Sequence, residues 1–566
     1  MRRLTFICVV ILATATSIAC EQVEAIVEVE PGDVAGEFVA AWNDEDFEAM
    51  WELFPDTAVR EKWHPGALRV FFNKVLRSGR MTSFNVELAP VNVGLTPVSE
   101  EPATPQIEYT ISYESSAARE PVEFQGRLPL EEAGDGWAVR WRRGLVWPGW
   151  AQAKSFHVEE TTVKRGTILD RDGKKLAVGT DHDRTYPNGS VGGITLGHLE
   201  PAEPGSAALV GASGLEEAYD DLLKGRPKTS LSLWSRRRSL VDLGSKRGRP
   251  GHTLRATLDI DVQRAAQAAY GSTTGGAVVL DPRTGDILAA VSSSAFDPNN
   301  YVGVANIEPF DRALSGLYPP GSSLKVMTAS AALDTGEMKP TTTLTGPKEY
   351  RGVRNFESGE FGTISFATAL QYSVNTAFAQ IALELGTKRL FDYSNRFGFN
   401  RPPEMELHAA TSSFPKPLDE GDLMWGSIGQ AQVLSTPLQM ATVAGTVAND
   451  GKRMEPRIDL DARKSGERAL QKKTALTMTE LMRNVVIGGT GSAANVTGLE
   501  VAGKTGTAEV DVGGKRRNHA WFICFAPAPD PRVAVAVVSE YGGVGGEVAA
   551  PLARGILTSV WPHLPK

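Results

Sequence analysis

The stretch PPGSSLKVMTAS, Pro319 to Ser330, breaks the chain at Pro319-Pro320-Gly321 and then sets Ser322 and Lys325 three residues apart. A helix starting at Ser322 would bring both side chains to one face, a turn apart. Its unpaired N–H groups and positive dipole end would favour negative charge developing beside the hydroxyl. A lysine amine kept dry loses its preference for the charged form, so a neutral Lys325 could take the proton of Ser322 and make it a nucleophile. A serine N-cap followed by a surface lysine has the same spacing, and serine-x-x-lysine alone is weakly specific. Two later stretches sharpen it: QYSVNTAF carries Ser373 and Asn375, and VAGKTGTAEV carries Lys504, Thr505, Gly506 and Thr507. Singly, Asn375 could cap a helix, Lys504 could lie at a strand edge and Gly506 could be an ordinary strand glycine. In this order the three stretches are far more specific than any one of them.

Elements to position these residues are visible around them. From residue 251 onward the texture is α/β: GHTLRATLDIDVQRAAQAAY runs from a strand into a helix, and GGAVVLDPRTGDILAAVSS predicts two strands joined at Pro282 to Gly285. HAWFICFAP and PRVAVAVVSEY add two apolar strands. Residues 155–250 are rich in turn formers and charge and predict an irregular, strand-poor module with a hairpin at Asp172-Gly173. Ahead of it, Phe47, Met50, Trp51 and Phe54 mark the buried stripe of an amphipathic helix, while QIEYTISY and WAVRW alternate as half-buried strands do. That stripe could line a pocket, but it reads first as plain core.

The bulk numbers fit a folded chain of several domains: 566 residues, 42% hydrophobic and 22% charged. A net charge of −8 gives no reason to expect nucleic acid. The eight histidines form no H-x-x-x-H pair and no phosphate-binding loop is present, so neither metal nor nucleotide cofactor is expected. Arg2-Arg3 followed by the apolar run Leu4 to Ala19 predicts export, with SIAC before Cys20 offering a lipidation site and an uncleaved anchor helix as the alternative. Of the three cysteines only Cys524 lies in the body, in an apolar run that predicts a buried strand position.

Serine-x-x-lysine, serine-x-asparagine and lysine-threonine-glycine, in that order, resemble the motif set of penicillin-binding proteins and active-site serine β-lactamases. RGTILDRDGKKLA and GLEEAYDDLLKG resemble the dimerisation, or pedestal, module of class B penicillin-binding proteins; TLDIDVQ and IGQAQVLSTPLQMA resemble their transpeptidase domain. The unit ahead of them is similar to the NTF2-like extension of the low-affinity members associated with methicillin resistance. Cys524 departs from the glycine common there. The resemblance implies a multidomain α/β and α+β chain: a signal or anchor segment over 1–20, an NTF2-like domain over 27–150, a pedestal over 155–250, and over 251–566 a transpeptidase domain with an antiparallel sheet flanked by helices.

It further implies a peptidoglycan D,D-transpeptidase, acylated by β-lactams and held at the outer face of a bacterial membrane through its N-terminus. Ser322 would attack the penultimate D-alanine carbonyl of a stem peptide of the lipid-linked precursor, with Lys325 as proton acceptor. Lys504 would favour proton transfer through Ser373, and Asn375 would bond the substrate amide. Thr505 and Thr507 would meet the terminal carboxylate, and Gly506 would permit close approach. The N–H groups of Ser322 and Thr507 would form the oxyanion hole. A glycosyltransferase or a division or elongation complex is a possible partner. The alternatives are a D-Ala-D-Ala carboxypeptidase, a β-lactamase, for which no E-x-x-L-N segment is found between Ser373 and Lys504, or a non-catalytic β-lactam sensor or wall-assembly scaffold.

Overall fold

In the run Val533–Ser539 every residue is buried, which in a strand requires cover on both faces. Val533, Val535 and Val537 enter one apolar core, and Ala534, Ala536 and Val538 enter another. In the computed structural model, which describes residues 30–55, 58–90, 105–134, 136–293, 296–300 and 310–565, this strand is the centre of a five-stranded antiparallel sheet. The order across it is Ile287–Ser292, Gly275–Leu280, Val533–Ser539, Lys515–Ala526 and Ala502–Val512. Helices Ile260–Tyr270 and Ala550–Val560 supply apolar residues to one core, and helix Pro437–Ala448, buried along almost its whole length, to the other. The strand Ala502–Val512, which carries Lys504 to Thr507, forms one edge of the sheet.

The chain divides into two compact units, residues 1–161 with 228–247 and residues 162–227 with 248–566. In the first, helices Pro31–Asn43, Phe47–Glu52 and Pro65–Ser78 precede four antiparallel strands from Met81 to Val139. The core is aromatic: Trp42 lies edge-on to Trp141 at 5.5 Å between ring centroids, and Phe54 stacks on Trp141 at 6.1 Å. The stripe of Phe47, Met50 and Phe54 is therefore core.

The expected module over 155–250 is not one body, and it is not strand-poor. Ser155–Thr161, Lys228–Ser235 and Arg238–Lys246 form a three-stranded antiparallel sheet belonging to the first unit. In KTSLSLWS the alternation is real, with Thr229, Leu231 and Leu233 buried and Ser230 and Ser232 between them on the other face. Residues 162–227 stay with the second unit, where Ile168–Leu169 pairs with Leu254–Arg255 and the hairpin at Asp172-Gly173 forms. Here Arg165, wholly buried, donates to Glu216 and Asp220 at 2.7 Å each, which satisfies a charge that would otherwise be costly inside. The proposed export or anchor segment, with Cys8 and Cys20, lies outside the described residues. Among the described residues no helix is long and apolar enough to cross a membrane.

Cys524 sits opposite Val535 in the middle of the sheet, fully buried, and desolvation pushes its thiol well above its ordinary range. A chain from residue 30 onward is therefore expected to show no fast-reacting thiol to Ellman's reagent when folded and one thiol in concentrated urea. A rapidly modified native thiol would contradict this packing.

Candidate active site

The serine does not begin an α-helix. Gly321–Leu324 is a tight 3-10 turn, and the α-helix Lys325–Asp334 starts only after it. Two bonds wind this turn: the Gly321 N–H donates to Gly429 O at 2.9 Å, and the Ser323 hydroxyl donates to Pro320 O at 2.6 Å. Gly321 has φ +53°, which costs glycine nothing, and a Cβ on it would lie 2.7 Å from Thr507 O. The lysine-threonine-glycine strand approaches from the other side, where a Cβ on Gly506 would stand 2.7 Å from Pro320 O and 3.0 Å from Ser323 N. Trp521, on the neighbouring strand, donates its indole N–H to Pro319 O at 2.9 Å. The turn carrying Ser322 is thus pressed against backbone from two directions, and Ser322 itself remains partly exposed.

Lys325 is completely buried. Its Nζ donates to Ser373 O at 2.8 Å and to Asn375 Oδ1 at 2.6 Å, lies 3.2 Å from Ser373 Oγ and stands 5.1 Å from the Phe378 ring. Lys504, equally buried, reaches the same Ser373 hydroxyl at 2.9 Å and Thr505 O at 3.0 Å. One hydroxyl therefore lies between two amines. Ser373 is held there at φ +60°, a left-handed conformation that a serine adopts at a cost. Asn375 opens the helix Asn375–Arg396 and is fixed by its Nδ2 donating to Arg354 O at 2.8 Å.

Among the described residues no carboxylate pairs with either lysine, so burial acts on them unopposed. Desolvation holds Lys325 well below the usual lysine range, with the nearby Lys504 adding like-charge repulsion. Desolvation alone brings Lys504 down to about 7. A neutral Lys325 spends two N–H groups on Ser373 O and Asn375 Oδ1, which leaves its lone pair free to accept a proton. The hydroxyls of the edge strand are also oriented. Thr505 Oγ1 lies 2.7 Å from Thr490 Oγ1, and Gly545 N donates to Thr507 Oγ1 at 3.1 Å, so Thr507 keeps its own proton for an incoming acceptor.

The structure thus brings together Ser322, Lys325, Ser373, Asn375, Lys504, Thr505, Gly506 and Thr507. It differs from the sequence expectation in one contact: the bonds of Lys325 run to Ser373 and Asn375, not to the Ser322 hydroxyl. Sequence reasoning assigned no role to Gly429, Thr490 or Gly545. Gly429, at φ +75°, allows its backbone to meet that of Gly321. Only the repeated glycines around Thr490 and Gly545 hinted at close backbone approach.

With the geometry in place, known proteins can be set beside it. The penicillin binding protein transpeptidase domain matches residues 275–558, and a peptidoglycan D,D-transpeptidase PbpA of Mycolicibacterium smegmatis is 34% identical over 466 residues, covering 71% of this chain and 90% of that protein. The chain belongs to the penicillin-binding protein transpeptidase family. Peptidoglycan D,D-transpeptidase MrdA of Acinetobacter baumannii is 29% identical over 71% of this chain and 70% of its own length. Among solved structures, the D,D-transpeptidase domain of a peptidoglycan glycosyltransferase from Eggerthella lenta superposes with a TM-score of 0.61 at 30% identity, over 71% of this chain and 99% of that one. The imipenem acyl-enzyme complex of penicillin-binding protein A from Mycobacterium tuberculosis gives 0.59 at 30% identity, over 71% and 99%.

Because Gly506 touches the serine turn through backbone, Gly506→Ala must displace one of the two. A shift of about 1 Å in a reacting group costs on the order of a hundredfold in rate. Acylation by a fluorescent penicillin is expected to fall by about that factor in Gly506→Ala while the circular dichroism spectrum stays native. Unchanged acylation would show that the turn does not depend on this contact.

Proposed function

We propose that this penicillin-binding protein is a serine peptidoglycan D,D-transpeptidase of class B that works through a Ser322 acyl-enzyme. The observation that carries the reading is the Ser373 hydroxyl set between Lys325 and Lys504 at 3.2 and 2.9 Å, with Lys325 one turn from the partly exposed Ser322. Neutral Lys325 takes the Ser322 proton as the oxygen attacks the penultimate D-alanine carbonyl of a stem peptide. The oxyanion is held by the N–H groups of Ser322 and Thr507, an arrangement in which each donor is worth on the order of 3 kcal/mol. As the C–N bond breaks, the leaving nitrogen receives a proton relayed from the lysines through Ser373, and terminal D-alanine departs. An amine of a neighbouring stem peptide then attacks the ester, releases Ser322 and forms the cross-link.

Asn375 holds the substrate amide, and Thr505 and Thr507 receive the terminal carboxylate beside charged Lys504. A β-lactam enters by the same route and leaves Ser322 acylated. The first unit, helices followed by a four-stranded antiparallel sheet, is in this proposal an NTF2-like extension. Residues 162–227 supply the pedestal. The N-terminus anchors the chain outside the cytoplasmic membrane, by lipid on Cys20 or by its apolar run. A part in β-lactam resistance and recruitment to division or elongation machinery belong to the same proposal.

Fluorescent penicillin is expected to label the chain from residue 30 onward and to leave Ser322→Ala unlabelled; label on that variant would remove Ser322 as nucleophile. Lipid-linked precursor should give cross-linked dimer, whereas free D-alanine without dimer would identify a carboxypeptidase.

The lysines also set a pH profile. Lys325 acts as base only when neutral, so acylation rises with pH through its lowered pKa. Lys504 assists only when charged, so acylation falls as pH rises through about 7. A bell with its descending limb near neutrality is expected in the second-order labelling rate, and Lys504→Arg, which stays charged, should lose that limb. A flat profile across neutral pH would argue against a titrating Lys504.

A further inference from the structure

The first unit contains a cavity of about 510 Å³ that the transpeptidase chemistry does not use. It lies along helix Pro65–Ser78 and takes its walls from Trp63, Ala67, Val70, Phe71 and Val75. Its charged lining is of one sign: Lys62, Lys74, Arg143 and Lys154, with no carboxylate. Among the described residues none of these four forms an ion pair, whereas Arg69, Arg80, Arg119, Arg127 and Arg140 of the same unit each do. The Arg143 guanidinium stands over Trp63 at 5.1 Å and Phe71 at 5.5 Å, so its charge is held against the aromatic wall and not spent on an acid. Such a concentration of cations runs against a chain whose net charge is −8.

Two physical demands follow. Four unpaired like charges around one opening repel one another and attract an anion. A recess walled by aromatic and aliphatic side chains rewards apolar surface brought into it. Its volume falls within the range of roughly 300–1,000 Å³ usual for sites that enclose one small molecule. We infer that this cavity is a binding site for a small amphiphilic anion, a phosphate, sulfonate or carboxylate carried on an apolar or aromatic body. The anionic group meets Lys74, Arg143 and Lys154 at the mouth, and the body lies against Phe71, Val70 and Trp63. The inference stands apart from the transpeptidase reading, since no residue of the cleft takes part.

The test uses the chain from residue 30 onward and 8-anilinonaphthalene-1-sulfonate as probe, followed by its own fluorescence. One saturable site per chain is expected, with the sulfonate-free 1-anilinonaphthalene binding at least about tenfold more weakly. The double variant Lys74→Glu/Arg143→Glu should weaken the sulfonate by about tenfold or more, whereas Lys416→Glu, in the other unit, should not. The tryptophan emission and circular dichroism of each variant without probe report whether the first unit, whose core holds Trp42, Trp63, Trp141 and Trp147, is folded. Monomeric dodecyl phosphate should displace the probe while inorganic phosphate at millimolar concentration should not, which separates an amphiphile from a bare ion. Equal binding of the charged and uncharged naphthalenes by the unmodified protein would overturn the proposal without recourse to any variant. Displacement by inorganic phosphate alone, or capture by phosphatidylglycerol vesicles without displacement by dodecyl phosphate, would overturn it as well.

Discussion

Everything in the catalytic unit depends on keeping water away from two lysine amines. In water both would be charged near neutrality, would repel one another and could take no proton. Complete burial without a carboxylate partner reverses this, because the ammonium form loses its hydration and gains only carbonyl and hydroxyl oxygens in return. The two do not respond alike. Burial lowers both, and the positive charge of Lys504 lowers Lys325 further, which makes Lys325 the readier of the two to stand neutral. In the proposed mechanism one serves as base and the other as acid, with a shared hydroxyl between them. Environments that drive two equal groups apart in this way are a common route to acid–base assignment.

Exclusion of water requires a large, dry scaffold, and the sheet provides it. Its central strand is covered on both faces, and its edge strand places Lys504 where the serine turn can close over it. The remaining precision comes from backbone contact. Gly321, Gly429 and Gly506 bring three segments distant in sequence to separations no Cβ would permit. Ser373 pays a conformational cost to aim both its carbonyl and its hydroxyl at Lys325. Side-chain bonds alone would leave these groups free to drift by the fraction of an ångström that matters.

The cleft was legible in the sequence to the extent that its residues are of unusual type at fixed short spacing. Ser322 and Lys325, or Lys504 to Thr507, announce themselves within a single turn or strand. What joins those stretches was not legible, because a hydrogen bond such as Lys325 to Asn375 leaves no trace in local pattern. The same limit explains Gly429 and Thr490, whose importance lies in what approaches them. Strands with strong alternation, such as Gln106–Ser115, were readable, while Lys228–Ser235, which alternates in the same way, lay in a stretch whose turn formers and charge dominated the reading. The start of the serine helix was displaced to Lys325 because the preceding turn is wound by contacts from Gly429 that no local signal carries.

The two units treat unpaired positive charge in opposite ways, and depth decides which. In the cleft the amines are sealed, so burial favours giving up a proton, which is what the proposed proton transfer requires. At the cavity of the first unit Lys62, Lys74, Arg143 and Lys154 are open to water. In the proposal above a counter-charge brought by another molecule meets them there, and the aromatic wall beneath Arg143 favours one with apolar surface to bury. Similar side chains thus serve chemistry where water is excluded and recognition where it is admitted.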